Sequence, residues 1–292
     1  MLDAAALRAV NVVIFDMDGT LYQEDTFVDR YIRYLLEGTP HEAETEDAVR
    51  EAREMLSGLH PVRFGHFYHK TDAAFFVRGR EGFSSGRGWN GEPVDPKRLA
   101  DASRREPEDD DALHYIGDPW GIVALFRWKY GVPESRLQEA FARVRKEMIS
   151  EPHRFARHRR LYDAIAGLRG VAHRIVLMTN TYQASGLEFL EYMGIERLFD
   201  EIICDARKPR GIESFVAKLL EQGYEPREIL SIGDNPWNDL APVKRLGGRT
   251  CFASPYPSDD ADGWDERARA LDDLAALLER IVESKKAAAP IL

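Results

Sequence analysis

The stretch Asn11-Val12-Val13-Ile14-Phe15-Asp16-Met17-Asp18-Gly19-Thr20-Leu21-Tyr22 decides the fold. It opens with four apolar residues in a row, the pattern of a strand buried on both faces of a parallel sheet. It closes on two carboxylates, Asp16 and Asp18, with Gly-Thr directly behind them. In open α/β sheets ligands bind at the carboxyl ends of the strands, so two acids there suggest a reaction centre. A competing reading is a strand that stops at a polar turn, since Asp-Gly is a common turn dipeptide. The rest of the chain has to decide between them.

The chain has 292 residues, 44% hydrophobic and 31% charged, enough to bury one large core or two smaller ones. Its net charge of -10 argues against a nucleic-acid partner, whose binding rests on Lys and Arg neutralising phosphates. An anionic substrate would have to be drawn in by a local field. The first residues carry an early acid and no long apolar run, unlike a secretory signal, and no segment approaches membrane-spanning length. Cys204 and Cys251 both sit in apolar, strand-like runs and read as core residues of a reduced, cytoplasmic protein.

Helical spacing predicts helices over 26–37 and 42–56, stopped by Gly38-Thr39-Pro40 and Ser57-Gly58. Residues 59–89 turn aromatic and basic, 82–96 reads as a glycine-rich loop, and 106–111 as a solvated acidic patch. Two punctuated helices follow. Asp118-Pro119 starts one that Gly131 closes, and Pro133 opens another that runs to about Ser150. Residues 24–152 therefore form a mainly helical module inserted straight after the first strand. Beyond it helices and strands alternate: strands over 174–178, 201–204, 229–232 and 249–253, and a terminal helix over 265–283. Such alternation implies right-handed crossovers and a Rossmann-like parallel sheet. The α/β core then comprises 1–23 and 153–292, with 24–152 inserted into it.

All carboxyl ends of a parallel sheet lie on one edge. Four strands deliver polar groups there: Asp16 and Asp18, Thr179 and Asn180, Lys208, and Asp234 with Asp239. Packed together, the acids would raise one another's pKa unless a cation balanced them. An oxygen-loving divalent ion such as Mg²⁺ meets that demand, and no His or Cys cluster suggests a softer metal.

The pattern resembles the haloacid dehalogenase superfamily of phosphohydrolases. Asp16 to Leu21 matches its Asp-x-Asp-Gly-Thr-Leu motif, and Val176-Leu177-Met178-Thr179-Asn180 its apolar strand closing on Ser or Thr. Lys208-Pro209 before a helix matches the third motif, and Gly233 to Asp239 the fourth, Gly-Asp-x-x-x-x-Asp. The resemblance implies that Asp16 is the nucleophile that accepts a phosphoryl group. Asp18 would be general acid and base, a role worth ~10²–10⁴-fold in rate. Thr179 would donate to a phosphoryl oxygen, with Gly19 and Asn180 also lining the phosphate, and Lys208 would neutralise charge. Mg²⁺ would be held by the Asp16 carboxylate, the Asp18 carbonyl and Asp234, with Asp239 orienting a metal water or Lys208. Dehalogenase members lack an acid at the position of Asp18, which favours phosphate-ester chemistry. Thr in the second motif is chemically neutral, and Arg210 after Lys208-Pro209 alters charge at the site entrance.

The resemblance also makes the insertion a cap that excludes water and selects the leaving group, turning near 21–25 and 150–156. Within it His60, His66, His69, Arg78, Arg80 and Arg87 either grip an anionic substrate or lie on a solvated face, while Phe64, Phe67, Phe75 and Phe76 form its core. The run His153 to Arg160 either steers anions or starts a solvated helix, and Trp237 reads as packing. The expected activity is a Mg²⁺-dependent phosphatase of a small phosphorylated metabolite, working without nucleic acid or membrane as a monomer or homodimer. A phosphomutase, or a non-catalytic binding protein on the same fold, are the alternatives.

Overall fold

The computed structural model describes residues 1–79, 81–104, 110–260 and 263–287. Arg80 and residues 106–109 of the acidic patch lie outside them. The chain divides into two compact units, Met1–Glu24 with Arg154–Pro255 and Gly263–Leu292, and Asp25–His153 with Tyr256–Asp262.

In chain order, the first unit opens with α1 (Ala4–Ala9) and β1 (Val12–Phe15). The second unit carries α2 (Phe27–Leu36), α3 (Thr45–Ser57), β2 (His66–His69), β3 (Ala74–Gly79), β4 (Gly82–Arg87), α4 (Pro96–Ala102), β5 (Leu113–Tyr115), α5 (Pro119–Lys129) and α6 (Glu134–Met148). The first unit resumes with α7 (Arg159–Leu168), β6 (Arg174–Met178), α8 (Gln183–Met193), β7 (Glu201–Ile203), α9 (Arg210–Glu221), β8 (Ile229–Gly233), α10 (Ala241–Arg245), β9 (Arg249–Ala253), β10 (Glu266–Ala268) and α11 (Leu271–Lys286).

The first unit is built on a six-stranded parallel sheet in the order β10-β9-β8-β1-β6-β7. From β1 the chain moves outward through β6 and β7, then returns to the other side of β1 for β8, β9 and β10. That reversal beside β1 opens the crevice in which such sheets bind ligands. All four residues of β1 are buried, as the unbroken apolar run requires. Val12 and Ile14 pack with Ile212, Val216 and Leu219 of α9 in one apolar cluster. Phe15 pairs with Leu177 of β6 and Ile232 of β8, so the residues that follow these three strands emerge at one level. The expected terminal helix from 265 begins later. Glu266–Ala268 pairs with β9 as a parallel edge strand, and Asp273 starts α11 by accepting the amides of Arg269 and Ala270 at 2.9 and 3.1 Å.

Helices predominate in the second unit, but they accompany a four-stranded antiparallel sheet, β4-β3-β2-β5, that periodicity did not reveal. The expected glycine-rich loop at 82–96 is in part strand β4. Gly86 is needed there for close approach rather than for turning. A Cβ on Gly86 would lie 2.4 Å from Val94 and 2.9 Å from Phe76. Phe64, Phe67, Phe75 and Phe76 are buried as expected. Asp118 caps α5 by accepting the Gly121 amide at 2.8 Å, and Trp120 in its first turn stacks on Phe27 of α2 at 3.9 Å.

The segment from Tyr256, which the sequence reading keeps with the core, groups with the second unit. Tyr256 donates to Asp25 at 3.0 Å, the Asp259 amide to the Phe64 carbonyl at 2.9 Å, and Tyr115 to Asp260 at 2.7 Å. Such pairings, between residues far apart in the chain, leave no local sequence signal. Among the described residues no helix is long and apolar enough to cross a membrane, and both cysteines are free thiols.

Candidate active site

Asp16 follows β1 directly and continues its ladder, its amide donating to the Ile232 carbonyl at 2.9 Å. Its carboxylate is buried and meets Lys208, whose Nζ lies 2.6 Å from Asp16 Oδ1 and 2.6 Å from Asp239 Oδ1. Thr20 donates to the other Asp16 oxygen at 3.3 Å. Carboxylate oxygens of Asp16, Asp234 and Asp239 come within 4.8 Å of one another.

Local backbone chemistry explains each position. After β8 the chain makes a single wide π turn, Pro236–Leu240, a feature that recurs at functional sites. That turn carries Asp239 back towards the strand end. Ser231 donates to its carbonyl at 2.7 Å, and its Oδ2 accepts the Asn235 amide at 3.1 Å. Lys208 lies in the loop after β7 and is fixed by Asn180. The Asn180 amide accepts the Lys208 N–H at 2.7 Å and donates to the Lys208 carbonyl at 3.2 Å. Asn180, expected beside the phosphate, is thus engaged with the lysine's backbone. Gly19, also expected there, has a steric duty. At φ +78° a Cβ would fall 1.9 Å from Asp234 Oδ2, so only glycine leaves that carboxylate its place.

Asp18 takes a separate pair of donors, Tyr22 to Oδ1 at 2.5 Å and Thr181 to Oδ2 at 2.7 Å. Thr179 closes β6, buried, with its Oγ1 accepting the Thr181 amide at 3.1 Å. Thr20, Tyr22 and Thr181 were missed from the sequence. Thr20 and Thr181 each lie within two residues of a chosen position, so local scanning for hydroxyls would have found them.

The charges do not balance. Burial drives the Asp16 carboxyl upward, Lys208 opposes it, and Asp239 and Asp18 add to the rise. Burial raises Asp239 as well. Burial would lower Lys208, but Asp16 and Asp239 override it and hold the ammonium above its usual range. One lysine thus pairs with two buried carboxylates, and the Asp234 carboxylate lies in the same cluster. The donors are all hard oxygens, and a divalent ion such as Mg²⁺ fits both the chemistry and the missing charge.

The family model of haloacid dehalogenase-like hydrolases matches residues 10–247. The chain belongs to the haloacid dehalogenase-like hydrolase family. Among solved structures similar to this hydrolase is the candidate HAD-hydrolase YfnB from Bacillus subtilis, described as bound to magnesium. It is 16% identical with a TM-score of 0.52, over 92% of this chain and 98% of that one. A haloacid dehalogenase-like family hydrolase from Xanthomonas campestris matches at 14% identity and TM-score 0.43, over 95% and 98%. A dehalogenase matches at 12% identity and 0.47, over 92% and 96%. At these identities only the fold is shared. A comparison with curated proteins finds no match.

Among the described residues, the histidines and several of the arginines singled out in this hydrolase have structural partners. His60 is buried, accepts the Val62 amide at 3.0 Å and sits 3.2 Å from Glu51. His69 accepts the Asp72 amide at 3.1 Å, and His66 faces Asp259 at 3.2 Å. Arg87 donates to the Pro61 carbonyl at 3.1 Å. The three histidines therefore neither lie on a solvated face nor present free rings. In the basic run, His158 caps α7, Arg157 donates to the Tyr192 carbonyl, and Arg160 pairs with Glu279 and Asp272 at 2.8 and 3.0 Å.

Proposed function

We propose that this hydrolase is a Mg²⁺-dependent phosphoric monoester hydrolase that cleaves a small phosphorylated metabolite in the cytoplasm through an aspartyl-phosphate on Asp16. The observation that carries the reading is the Asp16 carboxylate itself, buried, 2.6 Å from Lys208 and followed two residues later by a second acid. In the first step a carboxylate oxygen of Asp16 attacks phosphorus, the bond to the leaving oxygen breaks, and Asp18 gives that oxygen its proton. In the second, water attacks the same phosphorus, gives its proton to Asp18, and the bond to Asp16 breaks to release phosphate. Lys208 offsets charge on Asp16 and the transferring group, and the Thr179 hydroxyl donates to a phosphoryl oxygen.

The Asp16 carboxylate, the Asp18 carbonyl and Asp234 would hold the metal, while the bonds of Asp239 to Lys208 and to the Asn235 amide favour a positioning role. When bound, the ion supplies charge stabilisation to the phosphoryl oxygens. Magnesium bound to a protein of this fold, YfnB, supports the choice of ion. An acid at position 18 favours phosphate esters over halogenated acids, and the inserted unit takes the role of cap. Turnover of phosphorylated metabolites by the purified protein, with Mg²⁺ and after its removal, tests the reading. Phosphate moved within the substrate instead of released would make it a mutase, and no turnover of any ester would remove the enzyme reading.

A further inference from the structure

A general acid and base is effective only while its carboxyl is aimed at the reacting oxygen. Both oxygens of Asp18 are held, by Thr181 at 2.7 Å and Tyr22 at 2.5 Å. With a donor on each oxygen, the carboxyl cannot turn without giving up a charge-assisted bond.

The Tyr22 donor is the more constrained of the two. Its side chain is 1% exposed, and its ring stacks on Phe155 at 4.2 Å and 18° and lies 5.7 Å from Phe189. Phe155 is itself held, its carbonyl accepting the Tyr192 hydroxyl at 2.7 Å. Tyr22 stands just before the point where the chain leaves the first unit, and Phe155 just after the point where it returns. A buried tyrosine needs a partner for its hydroxyl, but a backbone carbonyl serves that need. Tyr162 in the same unit uses one, Leu21, at 3.4 Å. Tyr22 reaches instead for the second acid of the first motif.

We propose, building on the phosphatase reading, that Tyr22 is a positioning residue for Asp18: its hydroxyl, fixed by the stack on Phe155, aims the carboxyl that exchanges a proton with the leaving group. The two segments that join the first unit to the insertion thereby meet in the grip on the acid. Any change in the Tyr22–Phe155 stack is passed to Asp18 through one hydrogen bond.

The test is Tyr22→Phe, which keeps the ring and removes the donor, assayed on phosphate monoesters whose leaving groups run from nitrophenol to an alkyl alcohol. A good leaving group departs with little help from an acid, so the loss should grow as the leaving group worsens. It should reach roughly tenfold in kcat for the alkyl ester and stay within about twofold for the nitrophenyl ester, a fraction of the full worth of a general acid. Phe155→Leu, which keeps the hydroxyl but removes the stack, should give the same trend at smaller amplitude. It also carries the test if Tyr22→Phe folds poorly by circular dichroism. A loss that is uniform across leaving groups, or no loss, overturns the inference while Asp18→Asn still shows the steep trend. Failure of the wild-type chain to hydrolyse any ester overturns it together with the phosphatase reading.

Discussion

Two charged clusters, one in each unit, are made of similar parts and differ in their balance. In the inserted unit Asp259 faces both His66 and Arg63, and its side chain keeps 35% of its exposure. One carboxylate there meets two nitrogen partners and water. At the end of β1 and β8, Asp16 and Asp239 are buried and share the ammonium of Lys208, with the buried Asp234 carboxylate beside them. Burying unmatched charge is costly. The fold retains the imbalanced cluster where chemistry is proposed and neutralises the other. Charge balance thus separates the two clusters better than residue type does.

The sharpest way to break this comparison is Asp16→Asn. Turnover of nitrophenyl phosphate should fall on the order of 10⁴-fold or more, as expected when one member of an interdependent catalytic group is lost. Without divalent ion the melting temperature should rise, because a buried carboxyl repelled by Asp239 and Asp18 is gone. A clear fall in melting temperature would make Asp16 a structural partner of Lys208 and undo the contrast.

Removing the cation should do the opposite. Lys208→Met leaves buried acids without their counter-charge and should cost about 3–5 kcal/mol in denaturant unfolding, besides activity. Arg63→Met in the inserted unit, where the guanidinium is 45% exposed, should cost less than about 1 kcal/mol. Equal losses at the two positions would mean that the clusters do not differ as described.

The same contrast governs how far sequence carries. The sheet was legible because β1, β6 and β8 are short apolar runs that stop at polar residues, a pattern that burial on both faces imposes. The site was legible for the same reason, since Asp16, Thr179 and Asp234 follow those runs directly. The antiparallel sheet was not. In β4, Gly82-Phe83-Ser84-Ser85-Gly86-Arg87 buries one residue in six, and Gly86 is explained only by what lies against it. Tyr22 escaped because the value of its hydroxyl depends on where Asp18 and Phe155 are in space. The segment from Tyr256 escaped because its partners lie far away in sequence.

A pH measurement sharpens the comparison from the side of the balanced cluster. Burial is the main cause that pulls His66 down to about 4, against the pull of Asp259 and with a smaller push from Arg87 and Arg63. Its Nδ1 accepts the Arg63 amide at 3.3 Å, a role open only to the neutral ring. The unfolded chain takes up the proton near pH 6.5 and the folded one near 4. Stability from this group is therefore complete above 6.5 and lost as pH falls from 6.5 to 4, by roughly 2–3 kcal/mol. Unfolding free energies of His66→Phe over that window should fall less steeply than those of the wild type. Parallel slopes would show that the ring titrates freely despite its burial.

The smallest effect is expected at the basic run that leads into the first turn of α7. Arg160 is spent on Glu279 and Asp272, its pKa raised chiefly by the bond to Glu279, and its neighbour Arg159 is 93% exposed beside Asp163. Charges already paired in water add little field beyond a Debye length of ~8 Å at physiological salt. If they do not steer the substrate, Arg160→Ala should leave kcat/KM for an anionic ester unchanged and insensitive to added salt. If instead kcat/KM falls in the variant and its salt dependence flattens, the run contributes to substrate capture. The local field would then extend past the three buried acids and their lysine to an exposed surface, which the ion pairs seen there argue against.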